Sequence, residues 1–232
     1  PAKLYAKGVR AGDVKYFDYN EDGDISDADR MNVGKAIPDF YGGITSNFSY
    51  KGFDLSLFGQ FSVGGKVMSA WRGVNGSEGT DHLGLALSNV KVNDRGESVE
   101  QYFNVSKEVA NGYWRGEGTS NTIPRPVRIG VHTGYDYDYN VQTSTRYLED
   151  ASYFKLKTVT LGYTLPESVV KKLRVNSLRV YVSADNLLTL TKYSGYDPET
   201  SFSGSPGDSN YGVDFGLQPV LRTFIFGLNL NF

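Results

Sequence analysis

The chain has 232 residues, no cysteine, 39 % hydrophobic residues, a net charge of −2 and a negative mean hydropathy. This excludes thiolate chemistry and cysteine-ligated metals, offers no electrostatic pull toward nucleic acid, and leaves no run of the ~18 apolar residues that a membrane-spanning helix needs. It does not exclude a transmembrane barrel, whose strands alternate lipid-facing with lumen-facing residues and so average to an ordinary hydropathy; 17 Tyr, 13 Phe and 27 Gly favour strands joined by turns.

No signal peptide opens the sequence, so an exported protein is expected to carry its leader N-terminal to residue 1. Residues 1–37 read as a loop containing one metal-binding signature, Asp18-Tyr-Asn20-Glu-Asp22-Gly23-Asp24-Ile25-Ser26-Asp-Ala-Asp29. It follows the EF-hand loop template, with oxygens at positions 1, 3 and 5, Gly at 6, the Asp24 carbonyl at 7 and a water-relaying Ser26 at 9. Position 12 is Asp29, one methylene shorter than the usual bidentate Glu, as in dockerin-type calcium loops. A structural Ca2+ held weakly, in the ~10⁻⁴–10⁻³ M range of extracellular modules, is expected. The competing reading is an Asp/Asn/Gly-rich surface turn held by side-chain-to-backbone bonds.

The first strand pair spans Phe40–Tyr50 and Phe53–Phe61. Ile44, Phe48 and Tyr50 share one face of the former; Phe53, Leu55, Leu57 and Phe61 share one face of the latter. Only Lys51-Gly52 separates them, the length of a tight hairpin turn, and Tyr50 and Phe53 flank it as an interfacial girdle would. Residues 62–152 form a long loop that is expected to carry local structure, including a short helix over Glu97–Asn111. Its aromatic stretches Asn111-Gly-Tyr-Trp-Arg115 and Gly134-Tyr-Asp-Tyr-Asp-Tyr139 are candidates for contact with a substrate or lid, although loop aromatics more often anchor packing. His82 and His132 have no partner at metal-ligand or triad spacing.

A third strand, Tyr153–Leu165, changes phase. Val159, Leu161, Tyr163 and Leu165 make an apolar face, but Phe154 and Leu156 fall on the opposite parity and Lys155 and Lys157 on the apolar one. Either a β-bulge near Thr158 shifts the phase, or the upper part stands above the membrane. After a short link, Pro166–Ser177, Leu178–Leu188 alternates Leu178, Val180, Val182 and Ala184 with Arg179, Tyr181, Ser183 and Asp185, a pair of faces suited to lipid and wet lumen. A second long loop covers 189–221. The last segment, Arg222–Phe232, places Phe224, Phe226, Leu228, Leu230 and Phe232 on one face and ends on an aromatic residue.

Short turns alternating with long loops are the pattern of an outer-membrane barrel with its long loops extracellular. Five strands leave two open edges, so a larger barrel is expected, with Arg222–Phe232 as its closing strand running from cell surface to periplasm. The fold class is all-β, a piece of a transmembrane antiparallel β-barrel.

Several phrases together resemble the C-terminal portion of SusC/RagA-type TonB-dependent outer-membrane transporters of Bacteroidetes. They are Gly12-Asp-Val-Lys-Tyr-Phe-Asp-Tyr-Asn-Glu-Asp-Gly23, Pro38-Asp-Phe-Tyr-Gly-Gly43, Ser49-Tyr-Lys-Gly-Phe-Asp-Leu-Ser-Leu-Phe58, Leu148 to Tyr163, Leu178-Arg-Val-Tyr-Val-Ser-Ala-Asp-Asn-Leu-Leu188 with Lys192-Tyr-Ser-Gly-Tyr-Asp-Pro-Glu199, and Arg222-Thr-Phe. The resemblance implies a plugged barrel of about 22 strands in the outer membrane of a Gram-negative bacterium. It implies nutrient uptake, of an oligosaccharide (glycan) or peptide, with a SusD-like surface lipoprotein as lid. Energy would come from a TonB complex acting through an N-terminal plug outside this sequence. The terminal Phe224, Phe226, Leu228, Leu230 and Phe232 resemble the assembly signal of outer-membrane barrels.

The rival class is a secreted, calcium-stabilised β-rich adhesion or glycan-binding domain with its strands in a sandwich. An enzyme is not expected and no catalytic residue is assigned: the adjacent Glu149 and Asp150 would point to opposite faces of a strand.

Overall fold

The computed structural model describes residues 2–72, 86–92, 95, 97–102, 107–130, 139–199 and 211–232. In chain order the elements are α1 (Ala2–Ala6), β1 (Phe40–Tyr50), β2 (Phe53–Val63), β3 (Lys66–Ser69), β4 (Ala86–Val92), β5 (Ser98–Tyr102), α2 (Lys107–Gly112), β6 (Val127–Gly130), β7 (Leu148–Asp150), β8 (Tyr153–Thr164), α3 (Glu167–Leu173), β9 (Ser177–Thr191), β10 (Val213–Asp214) and β11 (Thr223–Asn231). The chain divides into two compact units. One comprises Pro1–Gly34, Met68–Leu148 and Val213–Gly216; the other comprises Lys35–Val67, Glu149–Gly212 and Leu217–Phe232.

The second unit holds a five-stranded sheet in the order β1-β2-β8-β9-β11, antiparallel throughout. All five strands expected from period-two alternation are present. The β1–β2 turn has both central residues left-handed, Lys51 at φ 46° and Gly52 at φ 86°, the conformation whose twist matches a two-residue hairpin. Gly is needed at 52 for a second reason. Its carbonyl accepts the Thr164 N–H at 2.8 Å, and a Cβ there would lie 2.8 Å from the Thr164 carbonyl oxygen.

A β-bulge accounts for the phase change in β8. Phe58 pairs with Thr158 but Gly59 with Leu156, so Lys157 is an extra residue opposite β2. The β8–β9 register shifts at the same place, from Leu156↔Leu188 to Thr158↔Asp185, where Asn186 takes φ 53°. The shift returns Phe154 and Leu156 to the side of Val159 and Leu161, and it takes Lys155 off that side.

Cross-strand partners point to the same face, so the register sorts the sheet into two surfaces. Phe40, Ile44, Phe48 and Tyr50 of β1 share a face with Phe53, Leu55, Leu57, Phe61 and Val63 of β2. Phe154, Leu156, Val159, Leu161 and Tyr163 of β8 continue it. Val180, Val182, Leu188 and Leu190 of β9, then Phe224, Phe226, Leu228 and Leu230 of β11, complete it. Among the described residues no charged side chain interrupts this surface, and much of it is exposed: Phe226 retains 81 % of its accessible area, Leu228 66 % and Phe48 58 %. An uncharged apolar surface spanning five strands is far larger than soluble proteins leave to water. At the hairpin end, the Phe53 and Tyr163 rings lie 4.5 Å apart.

The opposite surface is polar. Arg179 forks onto Asp54 at 2.9 and 2.5 Å, Thr160 and Ser183 hydroxyls meet at 2.8 Å, and Thr158 donates to Asp185 at 3.1 Å. The link between β8 and β9, expected as a short connection, contains α3. Pro166 precedes it, Glu167 stands in its first turn and Lys171 and Lys172 in its last, a distribution that complements the helix dipole.

The first unit contains a three-stranded sheet, β5-β4-β6. The helix expected over Glu97–Asn111 does not form as one element: Ser98–Tyr102 is strand β5, paired antiparallel with β4, and among the described residues the helical part is Lys107–Gly112. Val99 and Tyr102 are strand formers, and pairing with β4 decides the outcome.

Candidate functional site

The Asp18–Asp29 loop is built from side-chain-to-backbone hydrogen bonds. Asp18 Oδ2 accepts the Gly23 N–H at 2.8 Å, Asn20 Oδ1 the Asp22 N–H at 3.0 Å, and Asp22 Oδ1 the Asp24 N–H at 2.8 Å. Ser26 caps the turn Asp27–Asp29, and Asp29 accepts the Tyr19 N–H at 2.9 Å and the Ser26 N–H at 2.7 Å. That Ser26 bond, outweighing partial desolvation, holds the Asp29 carboxyl below the usual range. Lys7 takes both Asp24 carboxylate oxygens, whereas the template uses the backbone carbonyl at position 7. One acceptor is unsatisfied: Asp18 Oδ1 is buried without a hydrogen-bond partner. The donors are all hard oxygens, which suits calcium, yet among the described residues no three carboxylate or imidazole side chains converge as a metal cage.

The phrase around Gly12 is tied by residues that sequence reasoning did not single out. Asp13, with a side chain only 3 % exposed, receives a fork from Arg125 at 2.5 and 3.0 Å, the Asn140 amide at 2.8 Å and the Arg10 N–H at 2.7 Å. Buried Asn140 also accepts the Val14 N–H at 2.8 Å and donates to the Arg125 carbonyl at 3.0 Å. Gly12 takes φ 87° beneath Trp114, and a Cβ there would overlap the indole. Of the aromatic loop stretches, Trp114 is thus a packing anchor and Arg115 stacks 4.5 Å over the Tyr113 ring. Tyr139 packs edge-on against Tyr16, whose hydroxyl donates to the Tyr139 carbonyl at 2.6 Å and whose phenol is pushed up by burial. Residues 134–138, His82 and His132 lie outside the described residues.

In the second unit, the two lysines around the bulge meet the Asp197-Pro198-Glu199 segment. Lys155, 2 % exposed, donates to Asp197 at 2.5 Å and to Glu199 at 2.7 Å; Lys157 donates to both Glu199 oxygens at 3.0 and 2.7 Å. Burial raises the Glu199 carboxyl, but the hydrogen bonds from Lys155 and Lys157 outweigh it, and the net pKa lies below the ordinary 4.5. Among the described residues, the cluster pairs two cations with two anions. Glu149 and Asp150 do not converge: Glu149 accepts from the Ser194 N–H and hydroxyl at 2.8 and 2.7 Å, Asp150 from those of Ser152 at 2.8 and 2.5 Å. Beside the cluster lies a cavity of about 180 Å3 whose walls include Tyr41, Gln60, Ser62, Tyr153, Glu199 and Tyr211.

No family model matches the chain. Among curated proteins it is 33 % identical over 225 residues to TonB-dependent receptor P3 of Formosa agariphila, covering 95 % of this chain and 19 % of that protein. It is 26 % identical over 232 residues to TonB-dependent receptor SusC of Bacteroides thetaiotaomicron, covering 99 % and 19 %. Among solved structures, the RagAB peptide transporter aligns with a TM-score of 0.59 at 25 % identity, and the RagAB peptide importer in its closed-closed state with 0.60 at 24 %; each alignment covers 90 % of this chain and 19 % of the other. The chain therefore spans about a fifth of the length of these relatives.

Proposed function

The chain corresponds to one stretch of TonB-dependent receptors of the SusC/RagA type, and from that premise we propose that it builds part of the barrel wall of an outer-membrane nutrient importer in a Gram-negative bacterium. The observation that carries this reading is the sorting of five strands into an uncharged, exposed apolar face and a polar face bearing the Arg179–Asp54 fork. Lipid would cover the first, and the lumen of a completed barrel would bathe the second. The cargo is proposed to be a bulky oligosaccharide or peptide, with a SusD-like surface lipoprotein as partner and a TonB complex as energy source. Phe224, Phe226, Leu228, Leu230 and Phe232 would serve as the strand recognised during barrel assembly.

A pair of neighbouring substitutions tests the wall. In the intact receptor, Phe226→Arg places a cation on the apolar face and is expected to cost about 2–4 kcal/mol near the bilayer midplane. Ile225→Arg, one residue away on the polar face, is expected to be tolerated. Heat-modifiable mobility in electrophoresis of outer-membrane fractions reads out folded barrel. Equal tolerance of the two would refute the lipid-facing assignment.

We further propose that the Asp18–Asp29 loop takes a structural Ca2+ through Asp18, Asn20, Asp22, the Asp24 carbonyl, Ser26 and Asp29, a reading supported by the unsatisfied Asp18 Oδ1. Titrating calcium into chelator-treated receptor is expected to slow proteolysis within this loop at ~10⁻⁴–10⁻³ M, and Asp18→Ala to abolish that protection. Cleavage that ignores calcium in the unsubstituted receptor would dismiss the site.

A further inference from the structure

We propose that the β1–β2 hairpin end of the sheet binds the phosphate of an anionic glycerophospholipid, with Lys51 as the cation that meets it. The inference rests on the lipid-covered wall proposed above and gives that wall a headgroup preference at one end. At about 3.4 Å per residue, β1 rises about 34 Å from Phe40 to Tyr50. At a tilt of about 45° this is about 24 Å across the membrane, and the apolar band of such barrels is about 25 Å tall. With Phe40 at one margin of the hydrocarbon, Tyr50 stands at the other. Lys51 follows where headgroups begin.

Tyr50 belongs to the apolar surface and keeps 70 % of its accessible area. The Lys51 ammonium lies 5.2 Å from the centroid of its ring, so the cation sits at the rim of the apolar face with its aliphatic stem beside it. The Tyr50 hydroxyl adds a donor for a phosphate oxygen. On the neighbouring strands the Phe53 and Tyr163 rings, 4.5 Å apart, lie at the same level. They offer cover to the first methylenes of an acyl chain, which continues along the paired Leu55 and Leu161. Free phosphate could use the cation but not this surface. The same end of the sheet carries further positive charge. The Gly52 carbonyl accepts the Thr164 N–H at 2.8 Å and the Leu165 N–H bonds the Leu178 carbonyl at 2.9 Å, which sets the hairpin turn beside the link containing α3. That link holds Lys171, Lys172 and Arg174 against one acid, Glu167, which Lys171 already meets at 2.8 Å. A zwitterionic headgroup brings its own ammonium into this field; an anionic one does not, and so gains more from it.

The test uses the intact receptor in detergent, titrated with phosphatidylglycerol or phosphatidylethanolamine and followed by native mass spectrometry. Phosphatidylglycerol is expected to be retained over phosphatidylethanolamine at equal concentration, and inorganic phosphate at that concentration to leave it bound. Lys51→Gln is expected to weaken phosphatidylglycerol about fivefold, the loss of one cation at an anionic surface. Lys35→Gln, beyond the opposite end of β1, is expected to leave it unchanged. Heat-modifiable mobility confirms that each variant still assembles. Equal retention of the two lipids, equal behaviour of the two variants, or displacement of the lipid by inorganic phosphate would overturn the site while an assembled barrel left the importer reading standing. A receptor that does not assemble as a barrel would instead strike at the importer reading itself.

Discussion

Replacing Lys155 by methionine in the intact receptor is expected to destabilise it by about 3–5 kcal/mol, because it removes one partner of a buried ion pair. The group that loses its ammonium is Asp197, only 7 % exposed, whose Oδ1 lies 2.5 Å from Lys155 Nζ and also accepts the Glu199 N–H at 2.9 Å. Glu199 keeps Lys157 and is 26 % exposed, so it is less affected. The double substitution Lys155→Met with Asp197→Leu is expected to recover most of the loss, since an apolar pair leaves no uncompensated charge. Thermal unfolding of the purified receptor, followed by the loss of heat-modifiable mobility, measures both. A single variant as stable as the unsubstituted receptor would show that the pair is dispensable. The same cluster has a definite response to acid. The Glu199 pKa is lowered on folding from 4.5, so its contribution is complete above that ordinary value and is lost as pH falls through the lowered one. Neutral and mildly acidic media leave the cluster intact.

Asp13→Ala is expected to cost about 2–3 kcal/mol, the loss of several charge-assisted bonds around one buried carboxylate. The figure stays below that for Lys155 because the Arg125 side chain is 35 % exposed and regains water when its partner goes. Buried Asn140 has no such route: it keeps the Arg125 carbonyl and the Val14 N–H but loses its bond to Asp13. The expected signature is local, with faster amide exchange at Val14 and Arg125 and no change in the five-stranded sheet. Exchange unchanged at those amides would show that Asp13 does not hold the segment.

The strands were legible in the sequence and the clusters were not, for one physical reason. A strand with one apolar and one polar face must alternate along the chain, so Arg222–Phe232 and Leu178–Leu188 declare themselves locally. Asp13 meets Arg125 and Asn140 across more than a hundred residues, and nothing in a short window selects those partners from other polar residues. Lys155 and Lys157 leave a trace, as cations at the wrong parity, but their partners in Asp197-Pro198-Glu199 lie more than forty residues away, beyond any local pattern. The Asp18–Asp29 signature was visible from spacing, and the structure adds which oxygens the backbone already occupies.

The bulge at Lys157 also has an evolutionary meaning. It makes the upper and lower parts of β8 two separately phased segments, and one amino acid governs their relation. Losing that amino acid while keeping the pairing below it would invert everything from Tyr153 to Leu156, turning Phe154 and Leu156 to the polar face and Lys155 to the apolar one. Length variation among relatives should therefore be purged at this position and accepted in the loop just beyond it. An alignment that slides a gap through the strand to gain one identity would misassign four side chains to the wrong solvent.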